Sequence, residues 1–254
     1  VHPIERLRFV ARAGDVPARL LVDEAAGALT GFGGDRLGLV TACRRIVQRH
    51  RPCGALAYLA GSALVAPEPV AAIAAAAAAV DDDPTGAVVA RHLPPDATML
   101  GVGWPDEAPR SLARRGDVGV VAIDVAGEGR ALADALQAAD VVATAVPPER
   151  LGQAIAALAR PTNDDPVTGP GATGVVVIEA LAAGPDQAAA VPGSLAAAAT
   201  AAALGVPVWL VVPHGRAQSA AMWACYAAGI EGCDVVPVDL VDQVVRPTGP
   251  GAVG

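Results

Sequence analysis

The stretch from Gly174 to Gly215, GVVVIEALAAGPDQAAAVPGSLAAAATAAALGVPVWLVVPHG, restricts the fold more than any other part of the chain. An apolar run, Val175 to Ile178, closes on the lone carboxylate of Glu179. A small-residue loop follows, then an alanine-rich helix from about Ser194, then a second apolar run, Val206 to Val212, ending on Pro213 and His214. Short apolar runs on either side of a helix read as strand, crossover helix and parallel strand. In open parallel sheets, ligands bind beyond the carboxyl ends of the strands. Glu179, Gly193 and Ser194 are therefore expected where chemistry would sit.

The same alternation fills the chain beyond Pro94 and Pro95. Valine-rich runs at Thr98 to Val102, Val118 to Ile123, Asp140 to Ala145 and Val235 to Val238 join the two already described. Helical spacing lies between them, near Glu107 to Arg115, Gly129 to Ala138, Pro148 to Ala159, Ser194 to Leu204 and Arg216 to Ala228. This predicts a Rossmann-like, doubly wound parallel sheet over residues 94–254. Arg160 to Thr173 has three prolines, two glycines and no periodicity, and reads as a long loop or insertion. From Pro3 to about Val80 the apolar spacing is instead helical, within an N-terminal subdomain expected over residues 1–93. Leu20, Leu21, Ala25, Ala28 and Leu29 form one apolar face; Leu37, Val40, Ile46 and Val47 form another, with Arg44, Arg45 and Arg49 outside it. Two further helices, Gly54 to Val65 and Val70 to Val80, complete an N-terminal all-helical subdomain. The fold class is α/β.

Composition excludes several chemistries. All 18 basic residues are arginine, which removes Schiff-base lysines and the phosphate-loop lysine. A net charge of -8 argues against direct nucleic-acid binding. The longest apolar run, Val70 to Val80, is far shorter than the roughly 20 residues of a membrane span. Cys43, Cys53, Cys225 and Cys233 have neither metal-knuckle spacing nor a recognisable secretory context, and read as reduced thiols of a soluble, cytoplasmic protein. No metal and no cofactor is expected.

Several positions could still carry chemistry. Gly101-Val-Gly103-Trp-Pro-Asp106, with Asp124 ending the next strand, half-matches a dinucleotide fingerprint, but Asp106 stands where the third glycine belongs. A nicotinamide-dependent dehydrogenase is accordingly the outside reading, against tight strand-to-helix turns. Gly127, Gly129 and Arg130 open a helix and could hold one phosphate on backbone N–H groups and a guanidinium; the alternative is a turn with a solvated arginine. Glu179 could act as an acid or base, because a dry strand terminus favours a protonated carboxyl, or it could cap a helix. His214 could contact an anion or simply occupy a surface loop.

In its order of parts the chain resembles the initiation factor 2B alpha/beta/delta subunit family and its enzyme relatives, methylthioribose-1-phosphate isomerase and ribose-1,5-bisphosphate isomerase. The resemblance lies in the strand ending on Glu179, the Gly193-Ser194 step, Leu204-Gly-Val-Pro-Val208 and the closing segment from Val236 to Val245 with Thr248-Gly249. It implies a helical N-terminal subdomain and a homodimer formed through the Rossmann-like half. It also implies a pocket for a small phosphorylated ligand, a sugar phosphate or nucleotide, at Gly101, Gly103, Gly127, Gly129, Arg130, Gly193, Ser194 and His214. The isomerases' catalytic cysteine has no counterpart in Leu100 to Trp104, and their catalytic aspartate is matched by Glu179. Their Glu-Thr-Arg-Pro signature becomes Asp124-Val-Ala-Gly127, and their asparagine-lysine pair is absent. These departures point to a ligand-binding or assembly-forming regulator without catalysis. The alternative is a sugar-phosphate aldose-ketose isomerase with a rearranged acid/base pair, Glu179 with Asp124 or His214.

Overall fold

A computed structural model describes residues 6, 16–107, 111–159 and 173–251. The chain divides into two compact units, each with its own core. Val1–Asp83, Leu181–Gly184 and His214–Glu231 make up the first; Pro84–Ala180, Pro185–Pro213 and Gly232–Gly254 make up the second.

The first unit is helical. Its helices are α1 (Ala18–Thr30), α2 (Arg36–Arg49), α3 (Gly54–Val65), α4 (Pro69–Asp81) and, later in the chain, Ala220–Ala227. Asp35 caps α2 by accepting the Gly38 N–H at 2.9 Å, and Pro69 opens α4, where its missing N–H costs nothing. Helix α3 buries seven of its twelve residues, so it forms the centre of this core and shows no polar face. Leu21, Leu29, Leu39, Ile46, Leu56, Leu59 and Ile73 fill the space around it.

The second unit is an α/β fold. Helix α5 (Thr85–His92) precedes β1 (Thr98–Val102) and β2 (Gly119–Ile123); α6 (Glu128–Gln137), β3 (Ala143–Val146) and α7 (Leu151–Leu158) follow. Then come β4 (Gly174–Ala183), β5 (Gln187–Ala190), α8 (Ser194–Leu204) and β6 (Val208–Val211). The helix α9 (Ala220–Ala227) belongs to the first unit, and β7 (Asp234–Pro237), β8 (Gln243–Arg246) and β9 (Gly249–Gly251) close the chain. The main sheet runs β3-β2-β1-β4-β6-β8-β9, parallel except for β9. Strand order reverses between β1 and β4, which is where such sheets open a crevice. Strands β1, β4 and β6 are almost wholly buried, which explains their continuous apolar runs.

The structure departs from the sequence expectation in definite places. Glu179 does not end its strand: β4 continues four residues to Ala183, and the supposed small-residue loop contains β5. Ala180, Ala182, Ala188, Ala189 and Ala190 are fully buried there. Alanine is a poor strand former, so local preference reads these residues as loop; burial and pairing with β7 override it. Helix α5 and the strands β8 and β9 also lie in segments where no such element was expected. The predicted insertion over Arg160 to Thr173 lies outside the described residues except for Thr173, whose carbonyl accepts the Thr98 N–H at 3.2 Å. Among the described residues no helix is long and apolar enough to cross a membrane.

Candidate functional site

The register Gly101↔Val177 carries forward two residues on each strand to Gly103 and Glu179, one on each side of the point where strand order reverses. Gly103 has φ +65, a conformation that favours glycine, and turns the chain away from the sheet. The segment that follows is pinned by two glutamates. Glu128 Oε2, at the start of α6, accepts the Trp104 N–H at 3.3 Å. Glu179 Oε1 accepts the Asp106 N–H at 3.1 Å, and its Oε2 accepts the Glu107 N–H at 3.0 Å.

The turn after β2 repeats this arrangement. Asp124 Oδ1 accepts the backbone N–H of Arg130 at 3.1 Å, and Oδ2 accepts its guanidinium Nη2 at 2.8 Å. The hydrogen bond from Arg130 holds the Asp124 carboxyl below the ordinary carboxylate range. The Asp124 side chain is 11% exposed and that of Arg130 72%, so the guanidinium lies over the carboxylate from the solvent side. Gly127, φ +90, forms the N-cap of α6. A side chain at Gly129 would fall 2.6 Å from the Ile123 carbonyl oxygen, so glycine there lets the helix pack directly on the end of β2.

At the third helix start, Gly193 has φ +95 and lies within reach of Val102 and Val125, which brings the ends of β1 and β2 and the start of α8 together. Here Asp234 Oδ2 accepts both the Gly193 N–H and the Leu195 N–H, each at 2.9 Å. Ser194 is buried. Burial and the neighbouring Asp234 push the Cys233 thiol upward, away from a reactive thiolate.

Of the expected site residues, Gly103, Asp124, Gly127, Gly129, Arg130, Glu179, Gly193 and Ser194 all lie at this edge of the second unit. Gly101 lies within β1, where the Pro105 ring packs over it. His214 belongs to the first unit. Its backbone N–H donates to Asp83 Oδ2, and its ring meets Tyr58 edge-on, Nε2 lying 3.2 Å from the Tyr58 hydroxyl. Residue reading singled out neither Glu128 nor Asp234. Their partners lie 24 and 41 residues away in sequence, and no local pattern links them. Among the described residues no cluster of His, Cys, Asp and Glu is arranged to hold a metal ion.

No protein-family model matches the sequence, and no curated protein matches it. Solved structures match over nearly the whole chain. The translation initiation factor eIF-2B of Pyrococcus horikoshii OT3 superposes with a TM-score of 0.80 at 11% identity, covering 98% of this chain and 96% of that one. A chain of the tetrameric eIF2B-beta2-delta2 complex from C. thermophilum gives 0.74 at 15% identity, covering 99% and 90%. The 5-methylthioribose 1-phosphate isomerase of Pyrococcus horikoshii OT3 gives 0.67 at 13% identity, covering 99% and 84%. The chain thus has the fold common to initiation factor 2B subunits and this isomerase, as the order of its sequence motifs suggests. At these identities the likeness is one of fold.

Proposed function

We propose that this protein is a noncatalytic, assembly-forming protein of the initiation factor 2B subunit type, working as a homodimer. One observation carries the noncatalytic part of this reading, and the likeness in fold to a chain of the tetrameric eIF2B-beta2-delta2 complex supports its assembly part. At the edge where a parallel sheet offers backbone N–H groups to an anionic ligand, the chain's own carboxylates take those groups. Glu179 holds the loop after β1, Asp124 the start of α6, and Asp234 the start of α8. A phosphate bound there would have to displace a carboxylate already fixed by two donors, or lie against its charge.

The same contacts weigh against isomerisation. Moving a proton between adjacent carbons requires an acid and a base free to reach substrate. Both oxygens of Glu179 accept backbone N–H groups, and both oxygens of Asp124 accept from Arg130. The positions matching the relatives' catalytic cysteine and asparagine-lysine pair supply no replacement. The small phosphorylated ligand and the Glu179–Asp124 acid/base pair are therefore the weaker readings of this edge.

A thermal-shift screen tests the proposal, because only ligands that bind the native state raise the transition. Sugar phosphates, nucleotides and nicotinamide cofactors at millimolar concentration should leave it unchanged, and light scattering at micromolar protein should give at least a dimer. A sugar-phosphate shift with turnover that Glu179→Gln abolishes would establish the isomerase instead. A shift without turnover would establish a ligand-binding subunit, and a monomer would remove the assembly role.

A further inference from the structure

Helix α2 has a second face that its own core does not use. Leu39, Ala42, Cys43 and Ile46 point inward at helical spacing. On the opposite side Leu37, Thr41, Arg44 and Gln48 recur at intervals of three or four residues, all exposed, with Arg45 and Arg49 beside them. From Arg36 to Pro67 the sequence carries five arginines and not one aspartate or glutamate, in a chain whose net charge is -8. Arg36 donates to the Leu64 carbonyl and the Arg51 guanidinium lies over Gly229, so both are engaged locally. Arg44 and Arg45 have no hydrogen-bond or ion-pair partner among the described residues.

The stripe also has an apolar end. The Arg36–Leu64 hydrogen bond brings the start of α2 beside the end of α3, so Leu37, 80% exposed, and Val65, 84% exposed, stand at the same end of the helical unit. Leu37 and Arg44 lie seven residues apart on one helix face, about two turns, so a single amphipathic peptide can meet both.

We infer that the outward face of α2 is a docking surface for an acidic segment of a partner protein, with carboxylates on Arg44 and Arg45 and an apolar side chain against Leu37 and Val65. Charge complementarity selects the partner. Beyond its cap Asp35, whose carboxylate is held by the Gly38 N–H, α2 carries arginines and no acid, and on an otherwise acidic protein such a strip attracts carboxylates at short range. The apolar end has no use for a phosphate backbone and suits an amphipathic peptide. The inference is independent of the function proposed above, since it concerns no residue of that site.

Fluorescence anisotropy on the full chain at low salt tests it, using a short fluorescein-labelled peptide of glutamates flanking a leucine pair. An all-glutamate peptide of equal length and a single-stranded oligonucleotide serve as comparison probes. The Glu/Leu peptide should bind saturably and more tightly than either comparison probe. The double substitution R44E/R45E should weaken it by at least about tenfold, and Leu37→Ser by about threefold or more. Arg91→Glu, a charge reversal of the same kind at an exposed site on α5, should leave it unchanged. All these side chains are exposed, and circular dichroism should report an intact fold for each variant. No saturable binding, full affinity in R44E/R45E, or an equal loss in Arg91→Glu would overturn the inference. So would an all-glutamate peptide binding as tightly as the Glu/Leu peptide. Tighter binding of the oligonucleotide that depends on Arg44 and Arg45 would overturn it in favour of a nucleic-acid surface.

Discussion

The carboxylate of Glu179, in the middle of β4, accepts the backbone N–H of Asp106 at 3.1 Å across 73 residues of sequence. Its second oxygen takes the next N–H, that of Glu107, at 3.0 Å. One side chain thus fixes the course of the loop leaving β1. Hydrogen bonds to a charged acceptor are worth about 1.5–3 kcal/mol each, and a donor left unmet costs about as much. Glu179→Ala removes both and should therefore destabilise the protein by about 3 kcal/mol or more in a denaturant titration. Glu179→Gln, which keeps one acceptor oxygen, should lose about half of that.

Asp234 is the equivalent clamp on α8, and its removal has two separable effects. Asp234→Ala strips the acceptor from the Gly193 and Leu195 N–H groups, and loss of such a cap costs about 1 kcal/mol. It also uncovers a helix N-terminus with free donors. Millimolar sulfate should then raise the melting temperature of the variant more than that of the wild type. Equal responses would show that the carboxylate is not filling an anion seat.

Arg115 and Asp117 form a bidentate pair, Nε and Nη2 each 2.6 Å from a carboxylate oxygen, and the guanidinium also donates to the Ala90, Leu93 and Pro94 carbonyls. The side-chain hydrogen bond from Arg115 holds Asp117 down to about 2. Because the folded-state value lies below the ordinary aspartate value of about 3.9, the stabilisation is complete above that pH. It is lost as pH falls through the folded-state value. An NMR titration of the Asp117 carboxyl should show the low value, and Arg115→Lys, which lacks the planar fork, should move it back toward about 3.9.

Gly129 lies in the first turn of α6, where alanine would ordinarily favour the helix by about 1 kcal/mol. A Cβ there would meet the Ile123 carbonyl oxygen at 2.6 Å and the Asp124 Cα at 2.7 Å, both main-chain atoms that cannot turn aside. Gly129→Ala should instead destabilise by about 2 kcal/mol, in the range of overpacked cores. Chemical denaturation would check the sign. A stabilised variant would show that α6 can lift from β2.

How much of this was legible in the sequence depended on the range of the interactions involved. Helix α8 begins at Ser194 and ends at Leu204 as read, and β1 spans Thr98 to Val102 as read, because both follow local periodicity and composition. The alternation of such segments, together with a helical first third, was enough to define the fold class. The alanine strands failed for the opposite reason: Ala180 to Ala183 and Ala188 to Ala190 have no intrinsic strand preference. They become strands only because neighbours remote in sequence bury and pair them.

The site divides the same way. The glycines at 103, 127 and 193 and the carboxylates of Asp124 and Glu179 were visible as residues at turns and strand ends, and the sheet places them at one edge. Which donor each carboxylate would accept was not visible. Asp124 meets Arg130 six residues on, whereas Glu179 and Asp234 find their partners 73 and 41 residues away. Residue type and spacing determined that acids and backbone donors would gather at the end of this sheet. Tertiary structure decided that they would satisfy one another, because the pairing depends on strand order and register, which no local stretch encodes.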